Sequence, residues 1–396
     1  MAMNYNQLKS VPGFSWLGEN IGIKDKSLDF GVIVSESKCS CAAVFTKNNL
    51  PGAPVIVGKK KIKSGQIQAV IVNSKNANVA TGLAGIEDAE KMSIWAAEAL
   101  GIDNSLVIPC STGVIGQRLP LEKIRLGCKT IPEKLGYSAK YIENFSRAIL
   151  TTDTYPKFCA DYVGNSILLG IAKGSGMIEP NMATMLSFFV TDAQLSSKQL
   201  QIMLKRVVDK SFNRISIDSD TSTSDTVIIL ANGLAGPIDT KKFEETFTKS
   251  SIKLAKQIAR DGEGASKLIE LTVSGAKSQS MALQISKSII NSPLVKTAIH
   301  GADPNWGRFV MAIGKVFDYP VSLDDICIIF GNEDKIQKIT ANNINSNNVN
   351  LDAIENLLKQ KEVFIEVIVG NGGFTETVWG CDLTKGYIEE NAFYTT

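Results

Sequence analysis

The 396-residue sequence contains a single histidine, His300. A Ser–His or Cys–His nucleophile system must use that residue or work without imidazole, and a histidine-rich zinc site is excluded. No segment approaches the ~20 apolar residues that a membrane-spanning helix needs. The N-terminal stretch MAMNYNQLKSVPGF has neither the basic start nor the apolar run of a signal peptide. The expectation is a cytoplasmic protein with no membrane partner. Neither sign of charge is in excess: 42 Lys and Arg stand against 40 Asp and Glu. That balance gives no electrostatic footprint for nucleic acid. Cysteines number seven, an odd count that fits a reduced compartment. Only Cys39 and Cys41 are close, and in a strand both would face one side. With no second pair and no histidine nearby, no metal site is expected.

What is present is ordinary globular composition, 44% hydrophobic and 21% charged. Strand-like runs alternate with amphipathic helices, which predicts an α/β or α+β fold. Strands are expected at 28–34, 40–46, 68–73, 105–110, 166–172, 184–191, 226–231, 267–274, 325–330 and 362–369. Helices are expected at 88–100, 120–132, 138–150, 196–210, 241–260, 277–299 and 351–359. In the 196–210 segment, Leu200, Met203, Leu204, Val207 and Val208 form one stripe, and Ser196 or Ser197 is a suitable N-cap. The Asn-rich stretch 342–349 reads as a surface loop.

Three segments carry candidate chemistry. In KGSGMIEPNMATMLSFFVTD (173–192), Ala183 and Thr184 stand at the head of an apolar strand. A small residue before such a threonine lets the hydroxyl reach the preceding carbonyl. An N→O acyl shift and hydrolysis would then free the Thr184 amine. An α-amine has a reference pKa of about 7.7–8.0 and can act as base for its own hydroxyl, which removes the need for histidine. The plain alternative is an ordinary β-branched strand residue. In VIPCSTGVIG (107–116), Ser111-Thr112-Gly113 forms a turn that can aim backbone N–H groups and a hydroxyl at one point, as an oxyanion requires. In RDGEGASK (260–267), Gly262 and Gly264 flank Glu263, a carboxylate suited to a substrate amine.

Together these segments resemble the glutamate N-acetyltransferase/ornithine acetyltransferase family of arginine biosynthesis. The resemblance runs from PGF (12–14) and GIK (22–24) to the last residue. It passes through VFTKN (44–48), NSKNAN (73–78), STGVIG (111–116), TTDT (151–154), KGSGMIEPNMATML (173–186), DSDTSTSDT (218–226), RDGEGASK (260–267), VKTAIHGADPNWGR (295–308) and NAFYTT (391–396).

The resemblance implies autocatalytic cleavage between Ala183 and Thr184, with Thr184 as the nucleophile that carries the acetyl group from N-acetylornithine to glutamate. It implies Thr112 and Gly113 as the oxyanion hole. It implies Lys173, one of Thr151 and Thr152, Glu263, Asn391 and Thr396 as substrate ligands. It implies no cofactor and leaves open whether acetyl-CoA also serves as a substrate. It suggests a heterotetramer of two alpha and two beta chains. The fold it implies is a layered α/β sandwich of the self-processing N-terminal-nucleophile type, with a main catalytic domain at 1–280 and a smaller C-terminal lobe at 281–396.

Two positions depart from the family pattern. Lys75 stands where glycine is usual, which is expected to forfeit a positive φ in that turn. His300 stands at a usually aromatic site and is expected to serve packing, not catalysis. The rival activities are a self-processing N-terminal-nucleophile hydrolase or aminopeptidase of the same fold, and an uncut scaffold without catalysis.

Overall fold

A computed structural model describes residues 8–179, 185–332, 335–340, 343 and 349–393. The chain divides into two compact units, one of residues 1–213, 220–258 and 395–396, the other of 214–219 and 259–394.

The first unit contains β1 (Phe14–Glu19), β2 (Phe30–Phe45), α1 (Ala53–Lys61), β3 (Gln66–Asn73), α2 (Gly82–Leu100) and β4 (Val107–Ser111). It continues with α3 (Leu121–Lys129), α4 (Ile131–Lys134), α5 (Ala139–Ala148), β5 (Lys157–Val163), β6 (Ser166–Lys173), β7 (Leu186–Gln194) and α6 (Ser197–Lys210). A two-residue strand of the second unit, β8 (Ile215–Ser216), precedes β9 (Thr226–Pro237) and α7 (Thr240–Arg260). The sheet order is β4-β3-β2-β9-β7-β6-β5, with β1 paired to β2. Pairing is mixed: β3–β4 and β7–β9 are parallel and the rest antiparallel.

Helices cover both faces of this sheet. Successive strand residues point to opposite sides. On β7, Phe188 meets Phe145 of α5 edge-on at 5.6 Å, while Phe189 meets Phe247 of α7 at 4.8 Å. A strand buried on both faces reads as a continuous apolar run, which is why LSFFV shows no alternation.

The second unit begins with β8 and continues with β10 (Leu268–Ala276), α8 (Gln279–Ile290), α9 (Pro293–Gly301), α10 (Trp306–Gly314) and β11 (Ile326–Asn332). It ends with β12 (Lys335–Thr340), α11 (Leu351–Leu358), β13 (Glu362–Val369), β14 (Phe374–Cys381) and α12 (Lys385–Phe393). Its sheet order is β12-β11-β13-β10-β14-β8. On β13, Val363, Ile365, Val367 and Val369 are buried and their neighbours half-buried, so one face takes the apolar cover. Ile285 and Ile289 of α8, Phe309 of α10 and Leu358 of α11 share that core.

The α/β class follows the sequence expectation; several details do not. The strands expected at 28–34 and 40–46 are one 16-residue strand, β2, bent by a register shift between Val34 and Cys39. The helix expected over 277–299 is two, because Pro293 has no N–H to continue α8 and instead opens α9 behind the Ser292 cap. Strands β1, β5, β12 and β14 and helices α1, α10 and α12 lie outside the expected elements; α1 and α12 carry no apolar stripe at helical spacing, whereas α10 does. The division between units falls at 258/259 and not near 280. The reason is β10, which pairs with β13 and β14 and so opens the second sheet. Ser196 caps α6 in a capping box with Gln199. Of the 342–349 stretch, only Asn343 and Val349 are among the described residues.

Candidate active site

The oxyanion segment is set by a ladder of buried polar side chains. Asn73, at the end of β3, accepts the Ser111 hydroxyl at 2.6 Å and donates its amide to the Asn76 carbonyl at 2.9 Å. Asn76 donates to the Arg118 carbonyl at 2.8 Å, and Asn78 to the Gly85 carbonyl at 2.8 Å. The blocks NSKNAN and STGVIG are therefore one folded piece.

Within it the Thr112 N–H is occupied by the Asn73 carbonyl at 3.1 Å. Among the described residues that leaves the Thr112 hydroxyl and the Gly113 N–H as free donors, a narrower pair than the turn's sequence suggests. Gly113 has φ +132°, and a Cβ there would stand 2.1 Å from the Lys75 carbonyl carbon. Lys75 itself adopts φ +77°. The expectation that lysine would lose this conformation is overturned: the Asn ladder on either side holds the backbone left-handed despite the Cβ.

Lys173 ends β6 and donates to Thr151 Oγ1 at 3.1 Å. Thr152 Oγ1 lies 2.6 Å from Ser175 Oγ. Asp153 holds this corner together. It accepts the Gly174 N–H at 2.6 Å, the Thr151 N–H at 3.1 Å and Lys157 Nζ at 2.7 Å, with both members of the ion pair fully buried. Burial pushes the Asp153 carboxyl up, but Lys157, Lys173 and the Gly174 N–H outweigh it and hold the group well below its usual range. Lys24 donates to the Leu28 and Leu150 carbonyls at 3.0 and 2.7 Å. Burial lowers it to about 8, against the opposing pull of Asp29.

A small, partly open pocket is lined by Thr112, Lys173, Met185, Ser222 and Asp225, among others. Met185 follows the expected nucleophile directly. The threonine-rich wall is fixed by the block VFTKN. Thr46 donates its hydroxyl to the Ser222 carbonyl at 2.7 Å, and Asn48 donates its amide to the Thr221 carbonyl at 2.9 Å. Ala183, Thr184 and Thr396 lie outside the described residues.

In the second unit, Glu263 accepts the Asn391 side-chain amide at 2.7 Å. The expected residues thus fall into two groups: Thr112, Gly113, Thr151, Thr152 and Lys173 in the first unit, and Glu263 with Asn391 in the second.

His300 is not packed in a core. Its ring is 46% exposed, and Nδ1 sits 2.9 Å from the buried Asp382 Oδ2, in the second unit. Cys39 and Cys41 are buried in one apolar cluster and pushed up to about 12 by desolvation. Among the described residues, no three His, Cys, Asp or Glu side chains form a metal-holding group. Nor is any described helix long and apolar enough to cross a membrane.

Sequence reasoning did not single out Asp153, Asp225 or Lys24. The available signal was an acid beside a strand: Asp225 immediately precedes the apolar head of β9, and Asp153 sits inside TTDT between two threonines.

The comparisons with known proteins extend over the whole chain. Arginine biosynthesis bifunctional protein ArgJ 2 of Clostridium acetobutylicum is 49% identical, covering 97% of each chain. The protein of the same name from a Nostoc species is 45% identical over all of both chains. Glutamate N-acetyltransferase Oat2 of Streptomyces clavuligerus is 43% identical over 98% of each. A crystal structure of the ArgJ protein of Bacillus halodurans matches 44% of this chain and 95% of its own at 38% identity, with a TM-score of 0.40. Residues 15–396 match the ArgJ family, and with relatives of this identity along the full length, the chain belongs to it.

Proposed function

We propose that this protein is the acetyltransferase of arginine biosynthesis that moves an acetyl group from N-acetylornithine to glutamate, cutting itself between Ala183 and Thr184 to make its nucleophile. The observation that carries the site assignment is the first-unit cavity. Met185, Thr112 and Lys173 line it together, and the peptide bond ties Thr184 to Met185.

The Thr184 hydroxyl attacks the acetyl carbonyl while its own α-amine takes the proton. The Thr112 hydroxyl and the Gly113 N–H stabilise the oxyanion. Ornithine leaves with its nitrogen reprotonated, and the acetyl ester remains on Thr184. The glutamate amine then attacks that ester, giving N-acetylglutamate and restoring the hydroxyl. Lys173 and Thr151 supply donors for a substrate carboxylate; the 3.1 Å contact between them favours Thr151 over Thr152 for this role. Glu263, held by Asn391, receives the distal ammonium of ornithine, and Thr396 completes the ligand set.

No cofactor is needed, since threonine itself carries the acyl group. The protein works in the cytoplasm as two alpha chains (1–183) and two beta chains (184–396).

N-terminal sequencing of the purified protein is the test, with TMLSFF expected as a second terminus. Thr184→Ala should abolish both the cut and the transfer. An active wild-type protein that stays whole would leave the chemistry without a base and end the proposal. Acetate release without N-acetylglutamate would favour a hydrolase instead. The same assay with acetyl-CoA replacing N-acetylornithine decides whether that donor is used.

A further inference from the structure

Asp225 is 1% exposed and lines the same cavity as Lys173, Thr112 and Met185. Its Oδ2 is buried and, among the described residues, has no hydrogen-bond partner. A buried carboxylate oxygen left without a donor is costly, and such a group marks an unfilled role. Around it, the Ser222 hydroxyl and the Met185 N–H face the carboxyl, with the Thr46 side chain, whose hydroxyl donates to the Ser222 carbonyl, beside them. Lys173, from β6, is the charged group that acts on it. Desolvation pushes the Asp225 carboxyl well above its usual range despite these donors, which favours its protonated form.

The cavity thus sets a cation, Lys173, near an acid whose open oxygen lacks an N–H. That pairing is complementary to an amino group on one side and a carboxylate on the other. We propose that Asp225 is the ligand of this cavity for an amino nitrogen in the acetyl-transfer reaction, received at its open Oδ2. The inference rests on the acetyltransferase reading above. Two amines of the reaction share this chemistry: the α-amine of the glutamate acceptor and the α-amine that the cut frees on the chain itself. When an ammonium binds, the carboxyl yields its proton to solvent and the two charges pair. When a neutral amine binds, the pair holds the single proton between them.

The test compares wild type with Asp225→Asn, which keeps the shape but cannot pair with a charge. If the nitrogen is the acceptor's, the KM for glutamate rises about tenfold or more, because a charge-assisted hydrogen bond is lost, while the acid limb of kcat stays in place. If it is the chain's own amine, KM holds. The acid limb of kcat then moves about one unit to lower pH, since an amine without a neighbouring carboxylate gives up its proton more easily. Either result supports the proposal. A cut, folded D225N protein with both quantities unchanged overturns it. So does a folded D225N protein that stays whole, which would assign the carboxyl to the cutting step. Should the Asn protein fail to fold, Asp225→Ser is read by the same two quantities. N-terminal sequencing of the wild type tests the parent function separately, so the two failures are told apart.

Discussion

Asn391 of α12 donates its side-chain amide to Glu263 at 2.7 Å, joining blocks 128 positions apart in the sequence. The approach depends on glycine. Gly264 has φ +65°, and a Cβ on it would stand 2.3 Å from the Gly386 carbonyl carbon. The Thr384 hydroxyl donates to the Gly264 carbonyl at 2.6 Å and locks the pair.

If Glu263 receives the ornithine ammonium, Glu263→Gln should raise the KM for N-acetylornithine by about tenfold or more, the worth of a hydrogen bond to a charged group. The KM for glutamate, which lacks that ammonium, should move little. Asn391→Ala should act in the same direction but more weakly, since it positions the carboxylate. Steady-state kinetics with each substrate varied in turn checks this. Equal rises in both KM values would count against the assignment.

Asp153 and Lys157 form a fully buried ion pair that also anchors Thr151 and Gly174. Asp153→Asn should cost about 3–5 kcal/mol, because Lys157 is left charged and uncompensated. Urea unfolding measures the loss. The Asp153 carboxyl is held below its unfolded value of about 3.8, so its contribution is complete above that pH and disappears as acid protonates the folded state. Wild type should therefore lose stability below about pH 4 more steeply than the variant does.

Most of the fold could be read from periodicity, and the reason is visible in α6. Its five apolar residues repeat at helical spacing, and Ser196 caps it with Gln199. The strands that escaped reading are held by partners remote in sequence. β14 is placed by β10 and β8, and its FTETVWGC mixes polar and apolar residues without a strong pattern. Of the expected ligands, Glu263 was marked locally by the glycines on either side, whereas Lys173 showed only within a family block, since no local pattern sets it apart from other lysines. Asp225 stayed hidden for another reason. Its raised proton affinity comes from desolvation, and burial of a single acid beside an apolar strand is a property of the packed fold.

Lys75 at φ +77° is a strained position for a residue with a Cβ. The left-handed conformation costs a non-glycine residue roughly 1–2 kcal/mol, against roughly 0.5–1 kcal/mol of extra chain entropy lost by glycine on folding. Lys75→Gly should therefore stabilise the protein by up to about 1 kcal/mol. Because glycine adopts the same left-handed φ and keeps the backbone path against Gly113, the gain should appear in the melting temperature with kcat unchanged. A lower melting temperature would mean that the lysine side chain contributes more than its backbone costs.

Lys24 makes the pH dependence of the folded state testable on the alkaline side. Burial lowers it from 10.5 to about 8, with Lys173 and Lys75 adding repulsion and Asp29 opposing it. Between these two values the unfolded chain holds a proton on Lys24 that the folded chain has released. Raising the pH through this window removes the unfolded chain's advantage, so stability should rise. Lys24→Met has no such titration. The difference in melting temperature between wild type and Lys24→Met should therefore shift in favour of wild type from pH 7.5 to pH 9.5, roughly across that window. Parallel melting curves for the two proteins over this range would show that Lys24 keeps an ordinary proton affinity in the fold, and that its contacts with the Leu28 and Leu150 carbonyls offset its burial.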